Sequence, residues 1–261
     1  MAMLKKLLKY DFRANLKIFL FIWPAIIVFA LLERVVIYLD SDAKAVTVLI
    51  NLTTSLYALA IVAACIFALV VSVTRFYSGL LKDEGYLMFT LPVRPWQLIL
   101  SKFLTAFATC AITITLSVFS LSLIAKDPLG TLRDLFYSDS SFMTTGNLIL
   151  CIVMLACALA TELLKIYLAC AVGHLARSKR VLFSVLFYYG LNVLVEVVTV
   201  SIVMVCTSTP IADGIDHFLA SFTPAGCIAL GFSFLSVVLA VIGCIYFFVT
   251  ERILRKHLNL E

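Results

Sequence analysis

Four polar side chains lie within otherwise apolar stretches of this chain, and they are the residues best placed to do chemistry. Glu162 and Lys165 are three positions apart, and Asn192 and Glu196 are four apart. Either spacing brings two side chains to one face of an α-helix. A charge at the centre of a membrane helix costs roughly 2.5–3.5 kcal/mol, so we expect these groups to face protein or a water-filled path.

Two interpretations of these residues stay open. They could hold helices together, with Glu162 and Lys165 pairing locally. Alternatively, they could line a translocation path, and Glu196 is the strongest candidate because its own helix offers no cation. Glu33 and Arg34, near the end of the first apolar run, are expected to form an interfacial pair.

Residues for catalysis are not apparent. None of the glycines is followed by Lys, so the G-x-x-x-x-G-K-[ST] phosphate loop is absent, and neither H-E-x-x-H nor G-x-S-x-G occurs. We therefore expect no catalytic residue, no metal site and no cofactor in this chain. Most of the eight cysteines lie in apolar runs, where they suit small buried positions. Cys206 and Cys227 bracket one polar segment and could form a disulfide.

Six long apolar runs must position these residues. About 20 apolar residues are needed to cross a bilayer as a helix. With 63% hydrophobic residues, the chain is predicted to be a single all-α membrane domain, residues 1–261, without an internal repeat. The predicted spans are 17–39, 49–74, 102–125, 146–172, 181–206 and 228–250.

The basic residues are distributed unequally between the two sides of these spans. Of the 20 Lys and Arg, only Arg34, Lys44, Lys126 and Arg133 fall on one side. The positive-inside rule then predicts that both termini lie on the cytoplasmic side of a cell membrane. The net charge of +5 is explained by anionic inner-leaflet lipids rather than by nucleic acid.

Two predicted cytoplasmic segments are distinctive. Residues 3–16 form an amphipathic pattern that is typical of an interfacial helix. Residues 75–103, RFYSGLLKDEGYLMFTLPVRPWQLILSKF, carry an apolar turn between an acidic pair and two prolines. The prolines predict a rigid turn before a second helical pattern that starts at Trp96. The apolar turn would need cover from water, which a cytoplasmic partner could provide.

This loop resembles that of type 2, six-span ABC exporter permeases, in which an acidic residue and a glycine precede an apolar turn, L-P-V-x-P and I-L-x-K. The opening LLKYDFRA, Leu7–Ala14, is similar to small permeases of this class from Gram-positive bacteria, among them exporters of peptide toxins and bacteriocins. The loop here has Met88 and Phe89 where many members carry a second acidic residue. The matching loop residues are Asp83, Glu84, Gly85, Leu91, Pro92, Val93, Pro95, Leu98, Ile99, Leu100 and Lys102.

The resemblance implies a coupling helix at 83–97 that docks on a separate ATP-binding subunit. Two such subunits, which bind ATP and Mg, would work with two permease chains, expected to be a homodimer, to export amphipathic peptides, toxins or other hydrophobic cargo. Short re-entrant helices would lie on the outer side between spans five and six. The residues implied in coupling are Asp83, Glu84, Gly85, Tyr86, Leu87, Met88, Phe89, Pro92 and Arg94.

Two other classes of function remain. The chain could be an ATP-independent channel or secondary carrier, for which Glu162, Lys165, Asn192 and Glu196 would have to serve the coupling ion. Interrupted spans at matching positions in two halves would favour a carrier, and the sequence shows none. The third class is a membrane scaffold without transport.

Overall fold

A computed structural model describes residues 2–38, 44–81, 95–125, 130, 144–176, 179–208, 214 and 221–257. All six long secondary-structure elements in these ranges are α-helices, which confirms the all-α prediction. The six are α1 (Ala2–Tyr38), α2 (Lys44–Leu81), α3 (Pro95–Ile124), α4 (Thr145–His174), α5 (Arg180–Ser208) and α6 (Pro224–His257). Each is long and apolar enough to cross a membrane, which indicates a multi-pass membrane protein.

The helices extend beyond the predicted spans. Helix α1 has 37 residues and includes both the amphipathic segment 3–16 and the first apolar run, with Pro24 inside it. Helices α3 and α6 both begin at a proline, Pro95 and Pro224. Proline suits the first position of a helix because its fixed φ is helical and its missing N–H would have had no helical partner.

The chain divides into two compact units, Met1–Phe136 and Tyr137–Glu261. In the first unit, α1 packs against both α2 and α3. Its buried core includes Phe19, Ile26, Phe76 and Leu98. In a membrane, where lipid tails are as apolar as these side chains, close packing and hydrogen bonds must hold such helices together.

In the first unit, a stripe of hydroxyl residues provides both close packing and hydrogen bonds. Ser101, Thr105, Thr109, Thr113 and Ser117 follow one another at four-residue intervals along α3, and all are buried. Thr105, Thr109, Thr113 and Ser117 each donate to the carbonyl four residues earlier, which satisfies the hydroxyl inside its own helix. These small side chains let neighbouring helices approach closely.

The stripe is also bonded to the other helices of its unit. The indole Nε1 of Trp23 on α1 donates to Thr113 Oγ1 over 3.1 Å. The hydroxyls of Tyr57 on α2 and Ser120 on α3 are 2.7 Å apart. These bonds fix α3 against α1 and α2 at different heights along the unit.

In the second unit, α4 packs against α6 and α5. Thr161 Oγ1 on α4 donates to the carbonyl of Leu239 on α6 over 2.9 Å, and Asn147 Nδ2 donates to the carbonyl of Ala225 over 3.0 Å. Helix α5 approaches α4 closely where Gly173 meets Ser184. The remaining surface of α5 is largely exposed and apolar, as expected for a face that contacts lipid.

Candidate functional site

One polar cluster, which we call the clamp, lies in the first unit and consists of Asp11, Arg75, Ser101 and Lys102. Lys102 Nζ lies 2.6 Å from Asp11 Oδ1, and Ser101 Oγ donates to Asp11 Oδ2 over 3.3 Å. Arg75 on α2 donates to the main-chain carbonyl of Ala14 over 2.9 Å. The clamp therefore ties the end of α2 and the start of α3 to α1, on either side of the segment 82–94.

The packing around the clamp is close. An added Cβ at Gly79 would lie 3.2 Å from Lys102 Cε, so this glycine leaves room for the lysine side chain. A small cavity of about 10 Å³ is lined by clamp residues together with Asn15, whose Oδ1 accepts no hydrogen bond from the part of the chain that the structure describes. That volume is close to the least that holds one water molecule.

A second cluster, the Lys165 cluster, lies in the second unit and joins α4 to α5 through Glu162, Lys165, Tyr188 and Asn192. Lys165 Nζ donates to Glu162 Oε1 over 2.6 Å and to Asn192 Oδ1 over 2.8 Å. Tyr188 OH donates to Glu162 Oε2 over 3.3 Å, and the ammonium lies 5.6 Å from the Tyr188 ring centroid. The local pairing that the sequence favoured is thus present, and three of the four predicted path residues come together.

Glu196 does not join this cluster. It lies on the exposed surface of α5 and forms no hydrogen bond or ion pair within the described ranges. A carboxylate on such a face would be unsolvated in lipid, so we expect a partner for it beyond the described residues. Its predicted role in a translocation path stays a prediction.

Glu33 does not lie where the sequence predicted, in an interfacial pair with Arg34. Glu33 is only 2% exposed and accepts a hydrogen bond from Thr54 Oγ1 on α2. Arg34 instead lies over the ring of Tyr38, 5.8 Å from its centroid. The two residues therefore do not form the expected interfacial pair, because consecutive positions on a helix point in different directions.

Several sequence predictions fall outside the described residues. The coupling residues Asp83–Phe89, Pro92 and Arg94 all do, as do most residues of the predicted re-entrant segment between α5 and α6. The side chain of Cys206 is also outside, so its pairing with Cys227 stays a prediction. Among the described residues, no group of three or more His, Cys, Asp or Glu is arranged to hold a metal ion.

Comparisons with protein-family models, curated proteins and solved structures found no match. Both clusters contain cations held by neighbouring oxygen atoms, an arrangement that bonds one helix to another.

Proposed function

We propose that this chain is the membrane subunit of an ATP-driven exporter, with the segment 83–97 docking on a separate ATP-binding subunit. The observation that carries the proposal is the ion pair between Asp11 and Lys102. Asp11 belongs to the opening LLKYDFRA and Lys102 to I-L-x-K, the two sequence patterns that resemble exporter permeases. Residues that lie far apart in the chain but carry the same resemblance thus meet at one site.

The clamp would transmit a displacement of the segment 83–97 to the helices of the first unit. The segment follows α2 and includes the first residues of α3, and the clamp bonds both helices to α1 close to those ends. A displacement of 83–97 would therefore move three helices together instead of bending one of them. Coupling of this kind needs rigid, bonded elements between the site that is pushed and the site that responds.

The proposed working complex contains two ATP-binding subunits, which bind ATP and Mg, and two copies of this chain. Both termini and the segment 83–97 would lie on the cytoplasmic side of a bacterial cell membrane. The proposed cargo is an amphipathic peptide or toxin taken from the membrane or the cytoplasm. Glu196 and the Lys165 cluster would contribute polar groups to the path, while ATP hydrolysis would take place only on the partner.

Copurification tests the proposal. The chain is expressed together with its neighbouring genes and purified in mild detergent, as wild type and with Leu87 and Phe89 replaced by Asp. We expect the ATPase to copurify with the wild type only, because buried charge at an apolar docking surface is costly. Leu175→Asp is the matched control: this leucine is exposed and lies on the same predicted side, and it should leave binding intact. Purification of well-folded wild type without an ATPase would favour a channel, carrier or scaffold.

A further inference from the structure

The carboxyl group of Glu33 is a buried charged group of the first unit that neither the clamp nor the proposed coupling route uses. It is buried between α1 and α2, where Oε1 accepts from Thr54. Its second oxygen, Oε2, is buried without a hydrogen-bond partner in the described part of the protein. An unpaired carboxylate oxygen in apolar surroundings is strongly unfavourable, so it marks a place where a partner is expected.

Glu33 borders a groove of about 430 Å³ within the first unit. The groove is open at the protein surface, as the exposure of its wall residues Val62 (55%) and Leu121 (54%) shows. Pockets of this size with apolar walls and few polar groups are typical of sites for small organic ligands. The lining consists of Glu33, Ile37, Thr54, Tyr57, Ala58, Ile61, Val62, Leu121 and Ile124.

The polar groups of the groove restrict which chemical class of ligand can bind there. The Tyr57 hydroxyl is already bonded to Ser120, and Thr54 already donates to Glu33. Oε2 of Glu33 is thus the acceptor left for a ligand, and the nearest basic neighbour in sequence, Arg34, lies over Tyr38. A bare metal ion would need several oxygen ligands, which these apolar walls do not supply.

We propose that this groove binds an amphipathic organic cation, with its ammonium group on Glu33 and its aliphatic body along Ile37, Val62 and Leu121. An ammonium would both neutralise the carboxylate and donate to Oε2, and such charge-assisted bonds are the strong ones. The apolar body would pack against the apolar walls of the groove, whose outer surface is expected to face lipid. The proposal concerns binding to this unit alone and holds whether or not an ATPase drives the protein.

Photolabelling of the full chain in phosphatidylcholine nanodiscs tests the site. Two probes carry the same alkyl diazirine, one ending in a primary amine and the other in an alcohol. We expect the amine to label the peptides that contain residues 54–62 and 121–124 about tenfold more than the alcohol does, as an added charge-assisted bond implies. Equal labelling by the two probes in the wild type would overturn the proposal, and this comparison requires no variant to fold.

Two variants locate the effect. Glu33→Gln keeps the shape of the side chain and should reduce labelling by the amine to the level of the alcohol. Ala58→Phe fills the groove and should reduce labelling by both probes. Glu251→Gln, which alters a carboxylate in the other unit, is the control and should change neither. Undiminished preference for the amine in Glu33→Gln would also overturn the proposal.

An ammonium group could come from a soluble amphipathic amine or from a lipid headgroup. Repeating the labelling in nanodiscs that contain phosphatidylethanolamine separates these sources. Loss of the amine labelling there would assign the groove to the lipid headgroup, and retained labelling would assign it to a soluble amine; both results uphold recognition of an ammonium.

Discussion

Lys102 Nζ lies 2.6 Å from Asp11 Oδ1, across 91 positions of the chain. Both side chains are mostly buried, with 11% and 14% of their surface exposed. Neither charge could be removed from water without the other, so the pair fixes where α3 starts relative to α1. Ser101 adds a second bond to the same carboxylate and thereby limits the ways in which α3 can rotate.

The first prediction concerns this pair. Asp11→Asn and Lys102→Met each remove one charge of this mostly buried pair, so each should lower the free energy of unfolding by about 3 kcal/mol. The double variant should lose less than the sum of the two, because the same ion pair can be lost only once. Thermal and denaturant unfolding of the purified chain in mild detergent measures this cycle. Additive losses would show that the pair is not coupled.

A second prediction compares two glycines. A Cβ at Gly173 would lie 1.9 Å from Ser184 Oγ and 2.7 Å from its main-chain nitrogen, so α5 would have to move away from α4. Gly173→Ala should therefore cost about 2 kcal/mol of stability. Gly190→Ala is the control, since a Cβ added there would have no described atom within 4 Å apart from its chain neighbours and its own helix backbone; it should be neutral or stabilise by up to about 1 kcal/mol through helix propensity. Equal effects of the two substitutions on unfolding would contradict this packing.

The Lys165 cluster gives a third prediction. Lys165 is 8% exposed at its side chain, whereas Glu162 is 48% exposed. Lys165→Met removes the bonds to both partners and should destabilise by about 2 kcal/mol, mainly because Asn192 Oδ1 loses its donor. Glu162→Gln should cost less, since the glutamine keeps an oxygen that can accept the hydrogen bond from Lys165. Unfolding midpoints of the two purified variants decide the order, and a larger loss for Glu162→Gln would argue against it.

Glu196 provides a prediction about activity instead of stability. Because Glu196 is exposed and has no hydrogen-bond or ion-pair partner among the residues that the structure describes, Glu196→Gln should change the free energy of unfolding by less than about 0.5 kcal/mol. If the residue lines a translocation path, export should fall while expression and assembly stay normal. Cargo release from cells that carry equal amounts of wild type and variant measures this. Unchanged export would remove Glu196 from the path.

The helices were predictable because membrane crossing requires long, uninterrupted apolar runs. Their true ends were less so: residues 3–16 carry the charge pattern of a separate interfacial helix, yet α1 continues through them from Ala2 to Tyr38. Hydropathy detects only the part of a helix that lies in lipid, whereas helical hydrogen bonding continues past it. The prolines, by contrast, predicted a helical pattern from Trp96, and α3 begins one residue earlier, at Pro95.

The buried position of Glu33 was missed although a signal exists. Asn15, Phe19, Ile26, Ala30 and Glu33 are all buried and recur at helical spacing along α1. Similarly, the four-residue interval of Ser101, Thr105 and Thr109 foretells one buried face of α3. The partners of these faces, Thr54 for Glu33 and Asp11 for Ser101, are set by packing between distant segments and could not be read locally.

The most direct measurement of the central claim is photocrosslinking from the segment 83–97 itself. A photoreactive phenylalanine at position 89 is introduced into the chain, which is coexpressed with the ATPase in cells. The account predicts a crosslink to the ATP-binding subunit that is lost when Leu87 is replaced by Asp, while the same group at position 121, at the predicted outer end of α3, gives none. Crosslinks from position 89 only to the helices of its own chain, or labelling of position 89 by an impermeant reagent added outside the cell, would contradict it.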